Sequence, residues 1–151
     1  MIPVLIVGHG DFGDGLRSAI EMILGGPQEA VASLALRAEE DPADFARRTD
    51  AALAELGAGE TGPGIVLADL FGASPANAAT SLLRHRPDLQ VVTGVNLPMA
   101  LELLMARGST EPAELAVMSV ERGRDAIRDA GAMVRAELAR HAAEGRMGEG
   151  Q

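Results

Sequence analysis

The sequence predicts an α/β fold, an open, mainly parallel, doubly wound sheet of four or five strands with helices on both faces. Short apolar runs alternate with segments of helical periodicity, which is typical of βαβ units. The runs at residues 2–7 and 65–68 are almost uninterrupted, as in strands that are buried on both faces. With 151 residues, 47% of them hydrophobic, the chain can bury the core of one domain.

Two βα units precede residue 64. A strand at residues 2–7 is followed by a helix that ends at Gly-Gly-Pro, residues 25–27. We expect the inward face of that helix to comprise Leu16, Ala19, Ile20, Ile23 and Leu24. A second strand covers residues 31–36, and Asp41 then caps a helix with Pro42 at its first position. The inward stripe of this second helix comprises Phe45, Thr49, Leu53 and Leu56.

Two further units follow in the second half. A strand at residues 65–68 leads to a helix at residues 75–86, with Ser74 as its expected N-cap. A strand at residues 89–93 leads to a helix that ends near Arg107. Residues 115–120 fit a strand or a helix, and residues 127–141 have helical spacing. We expect one domain at residues 1–143 and a disordered tail at residues 144–151.

Composition excludes several classes of function. The net charge of −9 and the lack of a basic stripe argue against binding to nucleic acid or to an anionic membrane. The absence of cysteine excludes disulfides and thiolate chemistry. The start of the chain lacks the basic region and the length of a signal peptide, and no apolar run is long enough to cross a bilayer. We therefore expect a cytoplasmic protein.

Three polar residues follow predicted strands at what should be one edge of the sheet. His9 comes directly after the first strand, Asp69 ends the third, and Ser74 stands at the next helix start. The carboxyl ends of parallel strands share one edge, so these residues should converge there. A carboxylate on one ring nitrogen leaves the other free to attack, and the unpaired N–H groups of a helix start attract an anion.

The same residues suggest two other classes of protein. Residues 8–13 match the G-x-G-x-x-G dinucleotide fingerprint, although Asp11 and Asp14 would bring negative charge toward a pyrophosphate. His9, Asp69 and Ser74 are the residue types of a hydrolase triad, although Ser74 stands in no G-x-S-x-G elbow. An NAD-binding domain and a serine hydrolase therefore stay as alternatives.

Three segments carry a family resemblance: VGHGDFGDGL, ADLFGASPANAA and TGVNLPMALELLMAR. In order and spacing they resemble the IIA component of the mannose-type sugar phosphotransferase system, which includes the mannose, fructose and sorbose types. The resemblance implies a phosphotransferase in which His9 takes a phosphoryl group from the carrier HPr and passes it to a IIB component. It implies that Asp69 orients His9 and that Gly72, Ala73 and Ser74 hold the phosphoryl group. A regulatory phospho-sensor, or the phosphotransferase subunit of dihydroxyacetone kinase, is the nearest alternative.

The resemblance also implies the partners and the rim of the site. Phe12 and Phe71 are expected at a docking surface, bordered by the third loop with Asn96, Pro98 and Met99. No metal or cofactor is implied, membrane association would occur only through partners, and the family is usually a homodimer through an exchanged edge strand. The chain departs from common family residues at Gly8 and Ala73, and a positive φ at Ala73 would strain the phosphate-binding turn.

Overall fold

The structure, a computed structural model, describes residues 1–148 and is built on one parallel four-stranded sheet. The strands are β1 (Val4–His9), β2 (Val31–Leu36), β3 (Gly64–Ala68) and β4 (Leu89–Thr93), in the order β2-β1-β3-β4. All three pairings are parallel. The predicted fold class is confirmed. The chain reverses its winding between β1 and β3, which is where open sheets of this kind bind their ligands.

The described part of the chain contains six α-helices. They are α1 (Phe12–Leu24), α2 (Pro42–Leu53), α3 (Ser74–Ser81), α4 (Leu97–Ala106), α5 (Pro112–Asp125) and α6 (Ala130–Gly148). A π-turn at Ala54–Ala58 extends α2, and a 3₁₀ turn at Leu82–Arg84 extends α3. The stretch at residues 115–120, which fitted strand or helix, is helical.

The sheet separates two hydrophobic cores because successive side chains of a strand point to opposite faces. Val4 and Ile6 of β1 pack with residues of α1, α4 and α5, whereas Leu5 and Val7 pack with residues of α2 and α3. Helices therefore cover both faces, as predicted. Except for His9, every residue of β1 and β3 is buried, so the sheet is a rigid support for the residues at its carboxyl edge.

The helix stripes agree with the structure in α2 and less well in α1. Asp41 caps α2 by accepting the Ala43 N–H at 2.8 Å, and its expected inward residues Phe45, Thr49 and Leu53 are buried. In α1 only Ile20 of the expected face is fully buried, and Ile23 is 55% exposed. The stripe of α1 was wrong at Ile23, which stands in the last turn of the helix and has an exposed side chain.

Two buried arginines join distant segments. Arg86 donates to a carboxylate oxygen of Asp50 in α2 and to the carbonyl of Gly59 at 2.7 Å. Arg107 donates to the carbonyl of Ile2 at 3.1 Å and to that of Glu29 at 2.6 Å. These bonds hold together the loops at the amino-terminal edge of the sheet, which is opposite to the edge where His9 lies.

The last helix, α6, is exposed along the part whose side chains are described, residues 130–145. It reaches Gly148, so residues 144–148 of the expected disordered tail are helical, and the remaining residues 149–151 lie outside the described part of the chain. The domain boundary at residue 143 stays a prediction. None of the described helices combines the length and the apolar character that crossing a bilayer demands.

Candidate active site at the carboxyl edge of the sheet

His9 and Asp69 meet at the carboxyl edge of the sheet, as the sequence predicts. His9 is the last residue of β1, and Asp69 directly follows β3, the strand beside it. Nδ1 of His9 lies 2.7 Å from Oδ2 of Asp69. The two residues are 60 positions apart in the chain, so only the parallel pairing of β1 with β3 brings them together.

The carboxylate of Asp69 is held by three N–H groups. Its Oδ2 accepts the backbone N–H of His9 at 2.8 Å as well as the ring Nδ1–H, and its Oδ1 accepts the N–H of Leu70 at 2.7 Å. A carboxylate only accepts hydrogen bonds, so a neutral His9 ring in this contact carries its proton on Nδ1. The lone pair of the ring is therefore on Nε2, and the His9 side chain is 52% exposed.

Electrostatics keep Asp69 ionised. Burial is the largest single influence on the pKa of Asp69 and raises it, because the side chain is only 12% exposed. The hydrogen bonds that Asp69 accepts from the backbone and ring of His9 and from Leu70 lower the pKa, and together they outweigh the effect of burial. The pKa of Asp69 therefore lies below its ordinary value. A negative charge thus stands beside the ring nitrogen opposite to the free one.

A short loop joins Asp69 to the turn before α3, where backbone N–H groups begin the helix. Gly72 has φ of +77°, and Ala73 is extended with φ of −82° and ψ of 166°. The backbone strain that a positive φ would have caused at Ala73 is therefore absent. The carbonyl of Ala73 accepts the N–H of Asn77 at 2.9 Å, so the N–H groups of Ser74 and Ala76 begin the helix without intrahelical acceptors.

The expected N-cap role of Ser74 was wrong by one position. Ala73 is the capping residue, and no side chain caps α3. Ser74 lies in the first turn instead, and its exposed hydroxyl forms no hydrogen bond within the described residues. The turn is closed from the other side, where the side-chain amide of Asn77 donates to the carbonyl of Gly72 at 3.0 Å. Asn77 was not among the expected site residues, although it stands only three positions after Ser74 in the segment SPAN.

Apolar side chains are exposed around the site. Phe71 is 85% exposed and Phe12 is 41% exposed, as expected for residues at a docking surface. Leu70 was not among the expected docking residues and is exposed as well. These three residues flank His9 and Asp69 in the chain and form what we term the apolar rim.

Of the three docking residues expected in the third loop, Met99 is buried, whereas the docking roles of Asn96 and Pro98 stay predictions. Asn96 caps α4 by accepting the N–H of Met99 at 3.1 Å and holds α5 by donating to the carbonyl of Gly123 at 3.2 Å. Met99 is only 4% exposed, because it packs in the core and against Gly123, and it is no candidate for docking. Pro98 is half-buried in the first turn of α4.

The geometry also bears on the other chemistries considered. A hydrolase triad requires a hydrogen bond between the serine hydroxyl and the histidine ring. In the described structure the ring of His9 bonds to Asp69, and the hydroxyl of Ser74 does not bond to that ring. Among the described residues, no group of three or more histidine and carboxylate side chains is placed to hold a metal ion.

Comparison with known proteins identifies the family. The family profile described as PTS system fructose IIA component, EIIA-man, matches residues 3–120. The chain belongs to this family. The mannose-type IIA resemblance of the three sequence segments is thereby confirmed.

Relatives of this mannose-type IIA domain share much of its length. The PTS system mannose-specific EIIAB component of Escherichia coli (strain K12) is 35% identical over 130 residues, which cover 84% of this chain and 39% of that protein. The chain therefore spans well under half of that relative. The PTS system fructose-specific EIIA component of Bacillus subtilis (strain 168) is 34% identical over 107 residues, which cover 71% of each chain.

Solved structures agree with the fold. The mannose/sorbose specific IIA subunit of the phosphotransferase system from Enterococcus faecalis matches with a TM-score of 0.74 and 31% identity, over 85% of this chain and 94% of that one. The phosphotransferase system component EIIA from Streptococcus agalactiae matches with a TM-score of 0.76 and 29% identity, over 85% and 97%.

Proposed function

We propose that this mannose-type IIA domain is a phosphocarrier in which Nε2 of His9 accepts a phosphoryl group from phospho-HPr and passes it to a IIB component. The observation that carries the proposal is the 2.7 Å contact between Nδ1 of His9 and Asp69, which occupies one ring nitrogen and leaves the other exposed. Membership of the family supports the same role.

The chemistry needs no proton to leave His9. The lone pair of Nε2 attacks phosphorus while the bond between phosphorus and the donor imidazole breaks and its electron pair returns to the donor nitrogen. The ring of His9, which keeps its proton on Nδ1, becomes cationic, and the ionised Asp69 balances that charge. Transfer to the IIB component is the same step in reverse, with His9 as the donor.

The turn before α3 is the proposed binding site of the phosphoryl group. This turn comprises Gly72, Ala73 and Ser74. The positive end of the α3 dipole, with the free N–H groups of Ser74 and Ala76, lies at the carboxyl edge of the sheet. The uncommitted hydroxyl of Ser74 can donate one more hydrogen bond to a phosphoryl oxygen. This binding site is built from backbone and hydroxyl donors, without a metal ion.

The apolar rim is the proposed docking surface for both partners. HPr would cover Phe12 and Phe71 in the first step, and the IIB component would cover them in the next. Covering this rim would exclude water from the reacting nitrogen. With a net charge of −9, the chain would attract a basic partner face. We place the protein in the cytoplasm, where both partners would reach it. It would associate with a membrane transporter only through those partners.

A homodimer is the proposed assembly, as the family resemblance implies. Ile127, between α5 and α6, is exposed, as are Met133, Val134 and Leu138 of α6. A second copy would remove these apolar side chains from water. Light scattering after gel filtration would report a mass twice that of the chain, whereas a monomer at micromolar concentration would refute this assembly.

The test of function is phosphorylation in a reconstituted chain of carriers. The protein, with enzyme I, HPr and phosphoenolpyruvate, should acquire an acid-labile, base-stable phosphohistidine, detected as one added phosphoryl group by intact mass. His9→Ala should abolish the label, whereas His85→Ala should keep it, because His85 is an exposed residue at the opposite end of α3. ³¹P and ¹⁵N spectra should assign the phosphoryl group to Nε2. A folded His9→Ala variant that is still labelled would refute the proposal.

A further inference from the structure

The glycine before the reactive histidine leaves no free space at its α-carbon. A methyl group on Gly8 would lie 3.0 Å from Oδ2 of Asp69 and 3.2 Å from its Cγ. It would also lie 3.2 Å from Cδ1 of Phe12. These separations are below ordinary van der Waals contact, so a side chain at this position must displace a neighbour.

The backbone does not explain the glycine. Gly8 lies within β1 and is not among the glycines with positive φ, so any residue could adopt its conformation. A substitution at Gly8 would therefore act through contact with the neighbouring side chains and not through strain of the main chain.

The two neighbours differ in their freedom to move. Phe12 is partly exposed and can turn toward solvent. Asp69 cannot move alone, because its Oδ2 accepts two N–H groups of His9 and its Oδ1 accepts that of Leu70. The methyl group would press on Oδ2 itself, the oxygen that holds the ring of His9. Displacing it would lengthen the Nδ1 contact.

We propose that Gly8 is a positioning residue: its missing side chain lets Asp69 approach His9 closely enough to hold the proton on Nδ1 and keep Nε2 as the acceptor. The phosphotransfer consequence rests on the proposed function. The proton position is a property of the unphosphorylated protein and does not depend on that function. Gly8 is buried within β1, so we expect it to act through Asp69 and not by direct contact with the phosphoryl group or a partner.

The experiment compares Gly8→Ala and Gly8→Val with Gly15→Ala. Gly15 is a matched control because it lies in the first turns of α1 with no atom within 4 Å of an added methyl group. ¹⁵N spectra of the His9 ring at alkaline pH, where imidazole is neutral, report which nitrogen carries the proton. Single-turnover transfer from phospho-HPr reports the rate, and circular dichroism with urea unfolding confirms that each variant is folded.

We expect the parent and Gly15→Ala to keep the proton on Nδ1 and the two Gly8 variants to lose that preference. Transfer in the Gly8 variants should fall roughly tenfold, as when one charged hydrogen bond is weakened. In the Asp69→Asn background, Gly8→Ala should add little to the loss of rate, because the charge whose approach to the His9 ring it disturbs has already been removed.

Each arm can overturn the inference. An unchanged Nδ1 proton in folded Gly8→Ala would show that the methyl group does not move Asp69. A loss that adds in full to that of Asp69→Asn would show that Gly8 acts elsewhere. If His9 takes no phosphoryl group in any variant, the proposed function fails, while the ¹⁵N spectra still decide the role of Gly8.

Discussion

Oδ2 of Asp69 accepts both the backbone N–H and the ring Nδ1–H of His9, at 2.8 and 2.7 Å. One oxygen thus fixes the position of the histidine backbone and the orientation of its ring together. The other oxygen is tied to Leu70, so the carboxylate has little freedom to rotate. The pair is therefore a preorganised unit, in which the charge that stabilises a cationic ring is in place before any phosphoryl group arrives.

The charge of Asp69 should matter more than its shape. Asp69→Asn keeps the size of the side chain and removes the charge opposite the cationic ring, so we expect phosphotransfer from phospho-HPr to slow by roughly 10- to 100-fold. Rapid-quench single-turnover measurements would provide the rate. Asp11→Asn is the matched control, since Asp11 is exposed and its side chain caps no helix. Equal rates in Asp69→Asn and the parent would remove Asp69 from the mechanism.

The lowered pKa of Asp69 predicts an acid-dependent stability. The pKa is lower in the folded protein than in the unfolded chain, where it is about 3.9. The ionised carboxylate therefore contributes stability that is complete above the unfolded value and is lost as the pH falls through the lower folded value. Urea unfolding should show the free energies of the parent and Asp69→Asn converging in acid. A constant difference below about pH 4 would contradict this.

Ser74→Ala should separate function from stability. The hydroxyl has no partner within the described structure, so its loss should leave the unfolding free energy within about 0.5 kcal/mol of the parent. Transfer should slow by roughly 3- to 10-fold, because one donor to the phosphoryl group is gone. Ser81→Ala, in which the lost hydroxyl donates to the Ala78 carbonyl at 2.7 Å, is the control in the same helix. Normal transfer in Ser74→Ala would exclude the hydroxyl from the phosphoryl-binding site.

Phe71→Ala should weaken docking. This side chain is 85% exposed, so its removal should not lower stability but should raise KM for phospho-HPr by roughly tenfold if it is an anchor of the interface. Met22→Ala removes an equally exposed apolar side chain from α1, within the turns farthest from His9, and should leave KM unchanged. Steady-state phosphorylation at varied phospho-HPr would provide both values. An equal KM in Phe71→Ala and Met22→Ala would exclude Phe71 from the docking surface.

Several features could be predicted because they depend on local patterns. Uninterrupted apolar runs indicated the buried strands β1 and β3, and Asp41-Pro42 indicated the start of α2. The convergence of His9 and Asp69 followed from a general property of parallel sheets, that the carboxyl ends of their strands share an edge.

The sequence-based predictions were wrong where packing between distant segments determines the position of a residue. The family resemblance implied that Met99 lies in a loop that borders the site, but the close approach of α5 at Gly123 buries it. Ser74 resembles an N-cap, but the first hydrogen bond of α3 begins at Ala73, one residue earlier. The positions of helix starts depend on backbone angles that a capping pattern specifies only to within a residue or two.

The amino-acid sequence by itself determined the sheet, the order of its units, and the edge at which an imidazole and a carboxylate meet, because side-chain periodicity and turn residues are local properties. Only the tertiary structure decided that Asp69 holds Nδ1 rather than Nε2, that a methyl group on Gly8 would press on that same carboxylate, and that Arg86 and Arg107 are buried. Each of these is a matter of distances of a few ångströms between residues far apart in the chain, and those distances follow from how the helices pack on the sheet.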